Sequence, residues 1–117
     1  MVFQDNIPIY VQIANDIKGQ ISAGTLREED KLPSIREYSV KYSVTALTMQ
    51  RAMALLESEN VVHTKKGVGS FVRAGVREVL RGNILTEHVK GFLDRLMHMG
   101  LSGDEITALV KEGLKDE

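Results

Sequence analysis

Apolar residues recur at helical intervals from the start of the chain: Ile9, Ile13, Ala14, Ile17 and Ile21 run from Pro8 to Ala23, with Gly24 placed to stop them. The proline stands where a first turn needs no amide donor. A polar connection over 26–32 leads to Pro33-Ser34-Ile35-Arg36-Glu37, where Ser34 can cap free amides and Glu37 can reach back to complete a capping box. The pattern predicts a short second helix to about Tyr42. Ser43-Val44-Thr45 is then a tight connection, and Thr45 is the N-cap of a third helix striped by Met49, Ala52, Met53 and Leu56. Ala46, Leu47, Gln50, Arg51 and Ala54 take its outer face.

Val61-Val62-His63-Thr64 and Ser70-Phe71-Val72-Arg73 read as strands flanking Lys65-Lys66-Gly67-Val68-Gly69, a basic hairpin tip with two glycines. Two helices joined by a short turn and followed by such a hairpin make a winged helix-turn-helix. Beyond Ala74 the pattern is helical again. Val79, Leu80, Ile84, Val89, Phe92, Leu93, Leu96 and Met97 line a helix of about 23 residues, roughly 35 Å long. Gly100 stops it, Ser102 and Glu105 form another capping box, and a last helix carries Ile106, Leu109, Val110 and Leu114.

The expected fold is therefore mainly α with a small β-hairpin: a winged helix-turn-helix over 1–75, then a short C-terminal helical hairpin over 76–117. The hairpin has too little core of its own, and a two-fold copy is the commonest way to supply a partner surface. Its expected dimerisation residues are Leu80, Ile84, Val89, Phe92, Leu93, Leu96, Ile106, Leu109 and Val110.

Charge changes the picture more than composition does. A chain of 117 residues, 43% hydrophobic and 26% charged, is expected to be a globular domain. With no cysteine there are no disulfides or thiolate metal sites. No apolar run reaches the roughly 18 residues of a membrane span, and residues 1–9 lack the features of a signal peptide, so the expected location is cytoplasmic, with no membrane partner. The net charge of −1 speaks against a polyanion partner until it is resolved along the chain. Residues 1–30 carry two basic and five acidic side chains (−3), 31–73 seven and three (+4), and 74–117 six and eight (−2). The +4 island coincides with the helix-turn-helix and wing, which points one surface at phosphate.

The chain also resembles the GntR family of transcription regulators, in its short YtrA-like branch. The resemblance covers nearly everything from Pro8 to Leu114 and rests on Pro8-Ile9-Tyr10-Val11-Gln12-Ile13, Lys31-Leu32-Pro33-Ser34-Ile35-Arg36-Glu37, Thr48-Met49-Gln50-Arg51-Ala52 and Lys66-Gly67-Val68-Gly69-Ser70-Phe71-Val72. It implies a homodimeric regulator of double-stranded DNA, most often a repressor, with Arg36 at the family's DNA-contacting arginine. Relatives respond to small molecules, but no residue here names an effector, and no cofactor is expected. Two departures stand out. Glu29-Asp30 replaces the usual Pro-Gly, an equivalent polar turn. Ser43-Val44-Thr45-Ala46-Leu47-Thr48 replaces the branch's typical Gly-Val-Asn-Pro-Asn-Thr. Ala46 and Leu47 offer no hydrogen bonds to base edges, which leaves thymine-methyl contact and Gln50 or Arg51 as the base readers.

The candidate DNA-binding residues are Ser34, Arg36, Thr45, Thr48, Gln50, Arg51, Lys65, Lys66, Gly67 and Gly69. Each has a plainer reading. Arg36 could pair with Glu37 or Glu28; Thr45 and Thr48 could simply cap; Lys65 and Lys66 could keep a hairpin soluble. Arg51 has a poor local partner in Glu57, six residues on. His63, His88 and His98 share no metal-ligand spacing and read as surface or packing residues, and no phosphate loop, nucleophile elbow or carboxylate pair supports an enzyme. The alternative from another class is a winged-helix module that docks proteins without reading DNA.

Overall fold

A computed structural model describes residues 1–115. The elements are α1 (Ile9–Ala23), α2 (Ile35–Tyr42), α3 (Ala46–Ser58), β1 (Val62–Lys65), β2 (Gly69–Val72), α4 (Val76–His98) and α5 (Gly103–Lys115). They form two compact units, Met1–Arg81 and a second beginning at Gly82.

In α1 the carbonyl of Pro8 accepts the first amides, from Val11 and Gln12, and Gly24 ends the helix in the left-handed region at φ +83°. Ile13, Ala14, Ile17 and Ile21 are fully buried, as their spacing predicts. Gln12 is buried as well. Its carboxamide accepts from the amide of Gln4 (2.8 Å) and donates to the carbonyls of Gln4 (2.8 Å) and Ile7 (2.7 Å), so a buried polar group is satisfied by clamping the N-terminal segment.

Helix α2 starts with the expected capping box: Ser34 Oγ accepts from the Glu37 amide (3.1 Å) and Glu37 accepts from the Ser34 amide (3.4 Å). Its buried Tyr38 and Tyr42 pack tilted at 5.7 Å, and the Tyr42 hydroxyl donates to Asp16 of α1 at 2.7 Å. The turn into α3 passes through Ser43 at φ +55°. Thr45 then caps α3 by accepting from the Thr48 amide, and Met49, Ala52, Met53 and Leu56 enter the core with α1.

The hairpin is antiparallel with Val62 opposite Val72 and Lys65 opposite Gly69. Lys65 and Gly69 are thus its last rung rather than part of the tip, and the turn is closed by the Val68 amide on the Lys65 carbonyl (2.9 Å), with Gly67 at φ +78°. Residues 26–32, expected only as a polar connection, also run beside β2. Glu29 donates to Val72, Val72 to Asp30 and Leu32 to Ser70, at 2.8 to 3.0 Å, and Lys31 bridges to Phe71. This segment covers what would otherwise be an open sheet edge.

The first unit continues past residue 75 because α4 begins inside it. Val76 and Leu80, one turn apart, join its core. Leu80 is only 9% exposed, so it belongs to the winged unit's interior and not to a dimer face. Arg77 anchors the same turn: its Nε donates to the Ser22 carbonyl (3.2 Å), and its amide donates to Glu28 (3.3 Å), an anion at a helix N-terminus.

In the second unit α4 ends in a Schellman motif, with the Leu101 amide on the Leu96 carbonyl, the Gly100 amide on Met97 and Gly100 at φ +90°. Ser102 and Glu105 form the expected capping box. Ile106 is 4% exposed, buried within the chain and unavailable to a partner copy. Leu93 and Leu96 are half-buried, whereas Ile84, Val89, Phe92, Leu109 and Val110 are exposed.

Candidate nucleic-acid interface

The ten candidate residues sit where three local rules place them: at two capped helix starts, on the outward face of α3, and at the hairpin turn. Ser34 and Thr45 use their hydroxyls on their own helices, which leaves Ile35 and Arg36, and Ala46 and Leu47, at open helix N-termini. Thr48 is half-buried, its hydroxyl receiving a hydrogen bond from Thr45 (3.1 Å). Arg36, Gln50 and Arg51 are exposed, as are Lys65, Lys66 and Gly67 in the wing.

Charge is divided unevenly on this surface. All three acidic side chains of the 31–73 island are engaged: Glu37 in its capping box, Glu57 accepting from Thr64 (3.3 Å), and Glu59 paired with Lys18 of α1 at 2.6 Å. None of the seven basic side chains, Lys31, Arg36, Lys41, Arg51, Lys65, Lys66 and Arg73, forms an ion pair with a described residue. The plainer readings of Arg36 and Arg51 as internal ion pairs therefore do not hold among the described residues. Two lysines are steered by aromatic rings: Lys65 lies 4.9 Å from the Phe71 centroid, and Lys41 5.8 Å from that of Tyr38. His63 stacks on the other strand's Phe71 at 5.6 Å, a packing role.

Ser34, Lys65, Gly67 and Gly69 come together around one groove of about 760 Å³ between the wing and the start of α2. Arg36, Thr45, Thr48, Gln50 and Lys66 lie outside its lining; Arg51 borders a separate depression with Tyr10, Ala54, Leu55 and Ser58. The groove also contains Lys31, which the sequence reading missed. Its stem crosses the wing so closely that a Cβ on Gly69, whose φ is +144°, would stand 2.8 Å from Lys31 Cε. Glycine is favoured there by its backbone angle, while the Lys31 stem, as the far end of a flexible side chain, would have to shift for a larger residue. The sequence signals for Lys31 were its charge at the head of the basic island and its place at the start of the 31–37 segment that carries the family resemblance.

Among the described residues no helix is long and apolar enough to cross a membrane, and no group of three His, Asp or Glu side chains is placed to hold a metal.

Residues 9–72 match the family model for bacterial regulatory proteins of the gntR family. Over 97% of its length the chain is 33% identical to the HTH-type regulator YhcF of Bacillus subtilis, covering 92% of that protein. It is 28% identical to the HTH-type transcriptional repressor YtrA of the same organism, covering 97% of this chain and 95% of YtrA. A GntR family regulator from Listeria monocytogenes superposes with a TM-score of 0.81 at 34% identity, covering 94% of this chain and 98% of that one. The DNA-binding domain of AraR, solved in complex with operator ORX1, matches 61% of this chain and 92% of that one, with a TM-score of 0.57 at 26% identity. The chain therefore belongs to the gntR family of bacterial regulatory proteins, in its short YtrA-like branch, and is a DNA-binding transcription regulator rather than an enzyme.

Proposed function

We propose that the chain acts as a homodimeric, sequence-specific repressor in the cytoplasm, occupying a near-palindromic operator with α3 in the major groove and the wing on flanking backbone. The observation that carries this reading is the division of charge: every acid of the 31–73 island is engaged within the chain, and none of its cations forms an ion pair with a described residue. Lys31, Arg36, Lys65 and Lys66 hold phosphates, which positions each protomer without reading sequence, while Gln50 and Arg51 reach base edges. Dimerisation is supported by the exposed Ile84, Val89, Phe92, Leu109 and Val110, a set of large apolar side chains that a second copy would cover. The relative YtrA, named a repressor, supports the direction of regulation. No cofactor enters this reading.

Selection of bound duplexes from a random pool tests it. The expected product is a pair of inverted half-sites about one helical turn, roughly 34 Å, apart. Recovery of unrelated sequences, or of single half-sites, contradicts the proposal. On the selected duplex, Lys65→Ala with Lys66→Ala weakens all sequences alike, whereas Gln50→Ala changes the preference among sites.

A further inference from the structure

Leu47 is the one large aliphatic side chain of α3 that is left open, at 59% exposure. At 100° per residue it lies about 170° round the helix from the centre of the buried stripe formed by Met49, Ala52, Met53 and Leu56, so it points straight away from the core. Gln50 and Arg51, one turn on, fall to either side of that line, and Ala54, two turns on, returns to it with a side chain too short to obstruct a close approach. Leu47 also occupies the first turn of α3, the end that enters first when a capped helix start faces a groove. Arg51, one turn on, forms no ion pair with a described residue, which suits a nucleic-acid partner.

We propose that Leu47 is a specificity-determining residue that reads the 5-methyl group of a thymine in the operator half-site. The inference rests on the DNA-binding reading above and adds to it the chemistry of one base position. In the major groove thymine alone presents an apolar group, whereas guanine and adenine present acceptors that a leucine cannot satisfy. Leu47 thus selects twice: its methyl groups bury the thymine methyl, and any purine edge placed against it loses water with no hydrogen bond in return. Gln50 and Arg51 then read the neighbouring steps.

The test is a binding titration on a duplex selected from a random pool by the full chain, with each thymine replaced in turn by deoxyuridine, which removes only the methyl group. The expected result is one sensitive position per half-site, with a loss of about fourfold for each methyl removed. Leu47→Ala binds the thymine duplex more weakly and no longer distinguishes thymine from deoxyuridine at that position, while Leu47→Met retains the distinction. Indifference of the unaltered protein to every replacement overturns the inference and leaves the DNA-binding reading standing, as does undiminished discrimination by Leu47→Ala. Absence of tight, salt-sensitive binding to any selected duplex overturns both.

Discussion

Lys31 and Gly69 act as a pair, and separating their effects distinguishes charge from geometry. Lys31→Met keeps the stem that lies over Gly69 and removes only the ammonium, so folding stability should stay within about 0.5 kcal/mol while affinity falls on all duplexes and the salt slope drops by about one unit per protomer. Gly69→Ala adds a Cβ 2.8 Å from Lys31 Cε at a φ of +144°, and should cost about 1–3 kcal/mol in urea unfolding in addition to weakening binding. Equal stability losses in the two variants would show that Lys31 acts through packing alone. The buried tyrosines give a second residue-scale expectation. Burial, reinforced by Asp16, pushes the Tyr38 hydroxyl up to about 12, and burial first, then the hydrogen bond to Asp16, raises that of Tyr42. Because the folded state holds these protons more tightly than the unfolded chain, their contribution is whole below about pH 10 and is lost as pH rises towards 12. Urea midpoints should fall over that window, and Tyr42→Phe, which removes one of the two titrating groups, should flatten the fall. A midpoint unchanged from pH 9 to pH 12 would contradict this.

At the scale of elements, most of the winged unit was legible because its signals are local. The capping boxes at Ser34 and Ser102, the Thr45 cap, the glycine stops at Gly24 and Gly100, and the stripe of α3 each depend on residues within one or two turns. What was missed depends on partners distant in sequence. Residues 29–32 have no alternating pattern of their own, and they run beside β2 only because Val72 and Ser70 offer them ladder partners. The hairpin keeps the expected register, Val62 opposite Val72, but each strand lies one residue nearer the turn, because charge and glycine marked Lys65 and Gly69 as loop whereas the ladder continues to that rung. Leu80 shares the period of the exposed α4 residues and is distinguished from them only by the core it meets. Ile106, likewise, is marked by burial and not by spacing. Within the candidate interface, the helix residues followed from periodicity and capping; Lys31 did not, since its place is set by a crossing over the wing.

For the whole molecule, the proposed dimer rests on exposed apolar surface. The second unit leaves Val89 at 56% and Leu109 at 55% exposure, and with Ile84, Phe92 and Val110 these are the side chains that a second copy would cover. Val89→Glu should therefore shift the sedimenting species to monomer without unfolding the winged unit, and should weaken operator binding about a hundredfold or more, since two half-sites are then no longer held by one particle. A variant that remains dimeric and binds normally would place the dimer interface elsewhere. The central claim, that Lys31, Arg36, Lys65 and Lys66 hold DNA phosphates, is tested most directly by the salt dependence of binding to the selected duplex. Four basic side chains in each of two protomers correspond to about eight phosphates, so the logarithm of the binding constant should fall against the logarithm of salt concentration with a slope of about −7, reduced to about −4 when Lys65 and Lys66 are both replaced by alanine. A slope near zero, or one unchanged by those replacements, would contradict the account.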